Sequence, residues 1–389
     1  MSFTFYIFLY CFLIFVLLST YNGKNKNFLF LMLILPVLVY AHSFIDTNTI
    51  ADLPNYKESF YDASTINVFN PVDIEYFRMF HKCEYGYILL LKSISLFTAD
   101  FGVYLCVSSC LFLGFYSYVI LKYSPNVGLS FLMLLLIVFD QSTFVLRQHF
   151  SIAFVLLSIP SILERKFYKF LLIVAIATLL HKSTFIWFIM YFFYGMKKPW
   201  QIFLSLGTMA VVIGLIFNNL GFLNDRLGLG YASYIEGAKT GESNLVSFFV
   251  SLTMFVAYMV VCGKRMFDDG IMKLCTLAMY THIVLSFVGV NLSLLSRFSL
   301  VFNTSVLFIV PIVCKNIKSG VIRFAYIFMC LTIYGYITHF GSFSESMKEC
   351  KLYLFNTEEM IYFLILIVLT LYVTIKSQPK KELIKLNNA

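Results

Sequence analysis

The sequence predicts an all-α, polytopic transmembrane helical bundle of about 12–14 spans, with a long extracytoplasmic loop near its N-terminus. Two observations predict it. The 389 residues are 60% hydrophobic and only 13% charged, with a mean hydropathy of +0.84. A soluble domain carries about 25% charged residues, so lipid must solvate most of this exterior. The apolar residues also fall into long runs, many of them near the roughly 20 residues that a helix needs to cross the hydrocarbon core. In lipid the backbone must satisfy its own hydrogen bonds, so these runs are helices.

The first run, Phe3 to Leu18, has no basic stretch before it, and Ser19, Thr20, Tyr21 and Asn22 make no small-x-small cleavage site. It is expected to remain as a first helix and not to be a removed signal peptide. Further helices are expected at about 27–42, 102–121, 127–146, 149–163, 167–180, 183–195, 200–219, 245–262, 271–291, 298–314, 322–339 and 358–376. Short cytoplasmic loops carry an excess of Lys and Arg. That rule places Lys24/Lys26, Arg165/Lys166, Lys197/Lys198, Lys264/Arg265, Lys315/Lys318/Arg323 and the tail 377–389 in the cytoplasm. The opposite side then takes the loop 43–83, the junction at Arg147, the turn at His181, the loop 220–244, the turn before Arg297 and the loop 340–357. The whole chain, 1–389, is expected to form a single integral membrane domain.

Glu84 to Asp100 is ambiguous. It is short for a crossing, and Lys92 in its middle is costly at the bilayer centre. A re-entrant or interfacial helix is the preferred reading, with about 13 spans and the N-terminus outside; a true crossing gives about 14 and the N-terminus inside. No internal repeat stands out, which disfavours repeat-built transporter folds.

The formal charge of +9 comes from Lys and Arg scattered singly or in pairs, with no basic stripe. It follows membrane topology and does not point to nucleic acid. The nine cysteines lie mostly within apolar runs, including Cys106, Cys110, Cys262, Cys275 and Cys330, without a CxxC pair. They read as small packing residues, with neither a disulfide framework nor a metal site. The sequence has no P-loop, GxGxxG turn, HExxH or GxSxG, and no cofactor is expected.

Ionisable residues at membrane depth are expensive and usually functional. Asp140 and Arg147 are seven residues apart, so one continuous helix would set them on a shared face. Gln148 and His149 follow Arg147 directly. Arg is a planar, permanently charged donor suited to phosphate oxygens; the plainer reading is a snorkelling helix-end Arg. His181-Lys182-Ser183 is a polar step between apolar runs, suited to a general base or to a simple interhelical turn. Arg297 follows Asn291, Ser293 and Ser296, and is a second anion ligand or a helix-end anchor. Glu84, beside Tyr85 and Tyr87, either orients a substrate hydroxyl or pairs with a nearby cation. His282, in mid-helix, reads as a hydrogen-bonded packing residue. The loop 43–83 interleaves Asp46, Asp52, Glu58, Asp62, Asp73 and Glu75 with Tyr56, Tyr61 and Tyr76. Such a mixture suits hydroxyl-rich ligands, and equally an ordinary solvated loop.

The run Leu146-Arg147-Gln148-His149-Phe150-Ser151-Ile152-Ala153, the basic Arg165-Lys166-Phe167 and the step Leu179-Leu180-His181-Lys182-Ser183 together resemble the EpsG/Wzy family of bacterial polysaccharide polymerases. Its pattern is roughly LRQ-x-x-A, a basic turn, a helix, then an H-x-S step. Glu84-Tyr85-Gly86-Tyr87 resembles the family's E-x-G-[FY] element. Arg297-Phe298 resembles its later Arg-aromatic step, and Asp46 with Asp52 and Tyr56 its upstream Asp/Tyr region. The resemblance covers about residues 40–310. It implies a polymerase of the cytoplasmic membrane that moves a growing glycan from undecaprenyl diphosphate onto the next lipid-linked repeat unit, with a chain-length regulator as an expected protein partner. On this implication Arg147, Arg297 and Gln148 bind the diphosphate and His181 or Glu84 serves as base. Asp46, Asp52, Tyr56 and Asp140 face the sugars. The competing readings are a lipid-linked oligosaccharide flippase, a membrane O-acyltransferase and a ligase for finished polymer.

Overall fold

Over its described residues, each apolar run named above folds as helix in the computed structural model. The structure describes residues 3–218, 242–289, 293–340 and 352–376, apart from 22, 24, 51, 269 and 355. In chain order the helices are α1 (Phe3–Ser19), α2 (Lys26–Ser43), α3 (Leu53–Thr65), α4 (Pro71–His81), α5 (Tyr85–Ser95) and α6 (Phe101–Tyr123). Next come α7 (Val127–Leu134), a π-helical stretch Leu135–Phe139, α8 (Asp140–Phe144), α9 (Leu146–Val155), α10 (Ile159–Leu163) and α11 (Phe167–Leu180). The rest are α12 (Ile189–Gly195), α13 (Pro199–Asn218), α14 (Glu242–Cys262), α15 (Ile271–Val288), α16 (Ser293–Asn303), α17 (Val306–Asn316), α18 (Gly320–Phe340) and α19 (Thr357–Lys376). Among the described residues the only β feature is an isolated antiparallel bridge between Ile45 and Leu352.

Nine stretches of the described residues are long and apolar enough to cross a membrane, and Phe5–Ser19 and Phe167–Leu180 are shorter apolar helices. This is an all-α, multi-pass membrane protein. The full-length candidates number fewer than the sequence suggests, partly because some runs are broken. Residues 183–195 form a 3-10 turn, Lys182–Phe188, and the seven-residue α12. The tail 377–389 lies outside the described residues, as does most of the loops 220–244 and 340–357.

The chain packs as two compact units. One contains residues 1–157, 175–182 and 328–389; the other contains 158–174 and 183–327. In the first, helix starts are written in the sequence. Asp100 caps α6 by accepting from Gly102 N at 2.7 Å, and Asn70 caps α4 ahead of Pro71. Asn356 and Glu359 cap α19 reciprocally, Glu359 N donating to Asn356 Oδ1 at 2.9 Å and Asn356 N to Glu359 Oε2 at 2.7 Å. Each arrangement satisfies amides that the helix itself leaves unpaired.

The buried His42 ties three helices together. Its Nδ1 meets Ser109 Oγ of α6 at 2.7 Å and its Nε2 meets Ser142 Oγ of α8 at 2.9 Å. Its ring stacks on Phe112 at 5.2 Å. Ser43, the next residue, donates to Leu105 O at 3.5 Å. Contacts from 42 to 109 and from 43 to 105 make α2 and α6 antiparallel neighbours. The chain between them therefore leaves and re-enters the bundle at one end. α5 lies in that excursion, and its 11 residues span about 16 Å at 1.5 Å per residue, half of a hydrocarbon core. Lys92 donates to Ser64 O of α3 at 2.7 Å, which accounts for a Lys in an apolar run. Both facts agree with an interfacial or re-entrant α5. The loop 43–83 is not irregular: α3 and α4 occupy it and share a core with α5 and the start of α6, where Phe60 stacks on Tyr104 at 5.0 Å.

In the second unit, Trp187 donates to Ser158 Oγ at 2.9 Å and stacks on Phe302 at 5.7 Å. Arg165 donates to Tyr191 O and lies 4.1 Å over the Tyr191 ring. His282 Nδ1 meets Ser299 O at 2.9 Å, the hydrogen-bonded packing role expected for it.

His42→Ala removes two buried hydrogen bonds, worth about 1 kcal/mol each, and leaves a cavity costing about as much again. The thermal midpoint in detergent is expected to fall clearly, whereas exposed Tyr168→Ala, at 85% exposure, leaves it in place.

Candidate functional site

The first unit brings together residues far apart in sequence. Glu84 precedes α5, Arg147 sits in the first turn of α9, and His181-Lys182 ends α11. Glu84 joins all three segments. Its Oε2 accepts from Arg147 Nη1 at 3.4 Å, and its Oε1 accepts from the backbone N–H of Lys182 at 3.2 Å. Arg147 Nη1 also donates to the Lys82 carbonyl at 3.0 Å. The carbonyl bond is the tighter, because 3.4 Å is long for a charge-assisted hydrogen bond. Beyond these two bonds, the Tyr56 and Cys83 side chains also take hydrogen bonds from Arg147.

Local geometry explains how the segments meet. Lys82 adopts a left-handed conformation, φ 48°, which ends α4 and turns the chain toward Glu84. The preceding His81 is clamped to α3: its Nδ1 meets Ser59 Oγ at 3.0 Å and its Nε2 meets Asp62 Oδ2 at 2.8 Å. This Ser-His-Asp set is a brace and no nucleophile, since Ser59 is buried and donates to Asn55 O at 2.7 Å. Gly86 lets α5 lie directly on α11. A Cβ there would stand 2.7 Å from the Leu179 carbonyl oxygen. On the other side of the same stretch of α11, Ser151 of α9 donates to Ala177 O at 2.6 Å.

Aromatic rings wall the guanidinium. Arg147 lies 5.9 Å from the Tyr56 centroid and 5.5 Å from that of Tyr87, near the outer limit for cation–π attraction. Tyr87 in turn hydrogen-bonds Tyr104, oxygen to oxygen at 2.5 Å. Burial raises the Tyr56 phenol, with Arg147 pulling the other way. Burial, with Tyr104 and Tyr56 nearby, raises Tyr87 well above its ordinary value. Burial likewise pushes the Cys83 thiol up to about 11, against the pull of Arg147. All three are neutral at physiological pH, so Arg147 and Glu84 are the charged partners in this contact set. Lys82 and Lys182, whose backbones hold the site, are exposed, and they tip its rim toward positive charge.

The remaining sequence candidates fall elsewhere. Asp140 and Arg147 do not share a helix face: the helix breaks at Val145, φ −115° and ψ 54°, so spacing by seven does not align them, and Asp140 is buried behind a π-helical turn. Gln148 is wholly buried; of the adjacent pair, Arg147 is the one open to a ligand. His181 is buried at the end of α11, and its N–H continues that helix to Ala177 O. Arg297 is exposed and belongs to the second unit. Asp52 and Tyr56 are one helical turn apart, Tyr56 N donating to Asp52 O at 3.1 Å. Tyr56 is buried toward Arg147 while Asp52 is exposed. Asp46 lines a separate cleft of about 750 Å³ with Lys57, Tyr61, Asp100, Tyr353 and Glu358. Sequence reasoning missed Lys82, Tyr104 and the His81 brace, and named Tyr87 only as part of the E-x-G-[FY] element. The signal for Lys82 lay in the two-residue strap, Lys82-Cys83, between a proline-started helix and the E-x-G element.

The EpsG family model matches residues 45–355, a span that includes α3–α5, Arg147, the His181 step and Arg297. The chain belongs to the EpsG family. Membership supports a polysaccharide-polymerase type of function and accords with the multi-pass architecture. Within the EpsG match, the E-x-G, LRQ and H-x-S elements are the segments that Glu84 joins. No curated protein and no solved structure matches the chain.

Gly86→Ala forces a backbone shift where α5 meets α11 and is expected to cost about 1–3 kcal/mol. Thermal unfolding in detergent measures it against Gly335→Ala, where nothing lies within 4 Å of the added carbon and no loss is expected.

Proposed function

We propose that this EpsG-family chain joins undecaprenyl-diphosphate-linked oligosaccharide repeat units on the periplasmic or outer face of a bacterial cytoplasmic membrane, building an O-antigen, capsule or exopolysaccharide. The observation that carries this reading is the convergence on Glu84 of Arg147 and the His181-Lys182 step. It supplies a preorganised cation beside a candidate base at one end of a membrane bundle.

In the proposed reaction the acceptor hydroxyl oxygen forms a bond to the anomeric carbon of the growing glycan. The bond from that carbon to the diphosphate oxygen breaks, its electron pair leaves on the diphosphate, and the hydroxyl proton passes to a base. Charge builds on the leaving group, and donors already in place stabilise it without reorganisation. Arg147 has this role: the Lys82 carbonyl orients it, and its loose bond to Glu84 yields to a stronger anion. Both Glu84 oxygens are engaged, so Glu84 positions Arg147 and the H-x-S turn, and His181 is the proposed base. The cleft at Asp46 offers carboxylates, tyrosines and one Lys to the hydroxyls of a saccharide.

The test is the surface-glycan ladder of a deletion strain carrying variants. A strain lacking the polymerase shows single-repeat glycan; one lacking a flippase shows none, and one lacking an acyltransferase shows full-length unacylated chains. Arg147→Ala is expected to lower the joining rate by about 10²-fold or more, the usual cost of losing such a donor, and to leave single repeats. Arg147→Lys keeps the charge and loses the fork, and is expected to shorten the ladder; a wild-type ladder refutes the clamp. Arg297→Ala tests the proposed diphosphate role of Arg297 in the same way.

A further inference from the structure

We infer that α4 is an interfacial helix whose outer strip, Val72, Tyr76, Met79 and Phe80, is immersed in the bilayer leaflet at the end of the bundle where Arg147 lies. α4 has three faces. Ile74 and Phe77 are buried against the core shared with α3 and α5. At about 100° per residue, Val72, Tyr76, Met79 and Phe80 group on a second face. They are exposed by 72%, 60%, 69% and 65%. Glu75 and Arg78, also exposed, fall on a third. The exterior of the helix is thus divided lengthwise into an apolar strip and a charged strip, the pattern of a helix lying in the plane of an interface.

Several observations select lipid as the occupant. α3–α5 leave and re-enter the bundle at one end, so α4 is at the level where membrane helices emerge. The same excursion exposes further apolar side chains, Phe69 by 91% and Leu96 and Phe97 by 71% and 78%. The latter pair precedes the start of α6 by only a few residues. Tyr76 on the strip, with Arg78 and Lys82 beside it in the chain, supplies the aromatic and basic anchors typical of membrane interfaces. A water-facing helix has no reason to separate its apolar and charged exposed residues.

The consequence concerns depth. α4 runs into the left-handed Lys82, whose carbonyl holds Arg147. Seating α4 in the leaflet fixes that guanidinium near the headgroup level, where phosphate groups lie. The placement of α4 does not depend on the proposed reaction.

The test uses the full-length protein in phosphatidylcholine vesicles with and without dibrominated acyl chains. Val72→Trp and Phe80→Trp are compared with Glu75→Trp on the charged strip, each after subtraction of wild-type emission from Trp187 and Trp200. The expected result is blue-shifted emission at 72 and 80, quenched by the brominated chains and shielded from aqueous iodide, with the reverse at 75. Equal access of iodide to both strips overturns the inference. So does emission at 72 and 80 that neither quencher reaches, which identifies a protein partner or a second copy as the occupant. Unchanged thermal midpoints establish that the variants are folded.

Discussion

Everything at this end of the first unit depends on Glu84 having two oxygens and two partners. One oxygen receives the Arg147 guanidinium, the other the Lys182 amide. At 3.4 Å and only partly buried, the ion pair contributes modestly to stability, on the order of 1 kcal/mol. Its importance is geometric. It joins three segments at one point, where Ser151 also bonds α9 to α11 and the Lys82 carbonyl also holds Arg147. Gly86 serves the same end by removing the Cβ that would hold α5 off α11. The left-handed Lys82 does so by turning the chain sharply enough that its carbonyl meets Arg147.

The parts of this arrangement that the sequence displays are those with local signatures. Apolar runs become helices because lipid leaves the backbone no alternative. Asp100, Asn70 and the Asn356–Glu359 pair announce their helices through side chains that satisfy first-turn amides. Glu84, Arg147 and His181 were visible because ionisable groups are conspicuous among apolar neighbours. The shared face of Asp140 and Arg147 failed because spacing by seven presumes an unbroken helix. The π-helical turn at 135–139 and the break at Val145 leave no mark in apolar residues such as Leu135 and Leu136. The contact of Lys82 is not legible in sequence because it is made by a carbonyl, which every residue possesses. The buried placement of Gln148 was hidden for a related reason. A polar side chain one residue from an open Arg points about 100° around the helix, toward the interior.

The same physics bears on charge. Tyr56 and Cys83 stay neutral because burial penalises their ionised forms more than Arg147 favours them, and Tyr87 because burial and the neighbouring phenols both oppose its ionisation. A guanidinium ringed by neutral groups and one loosely held carboxylate is oriented by partners that bring little negative charge. An enclosing set of carboxylates would hold Arg147 more firmly and also occupy the donors that an incoming anion requires. Here the fixed partner is a backbone carbonyl, which orients the fork at 3.0 Å and contributes no charge that an anion must overcome. That division of labour, position from a neutral acceptor and register from a single carboxylate, is what the proposed diphosphate role asks of Arg147.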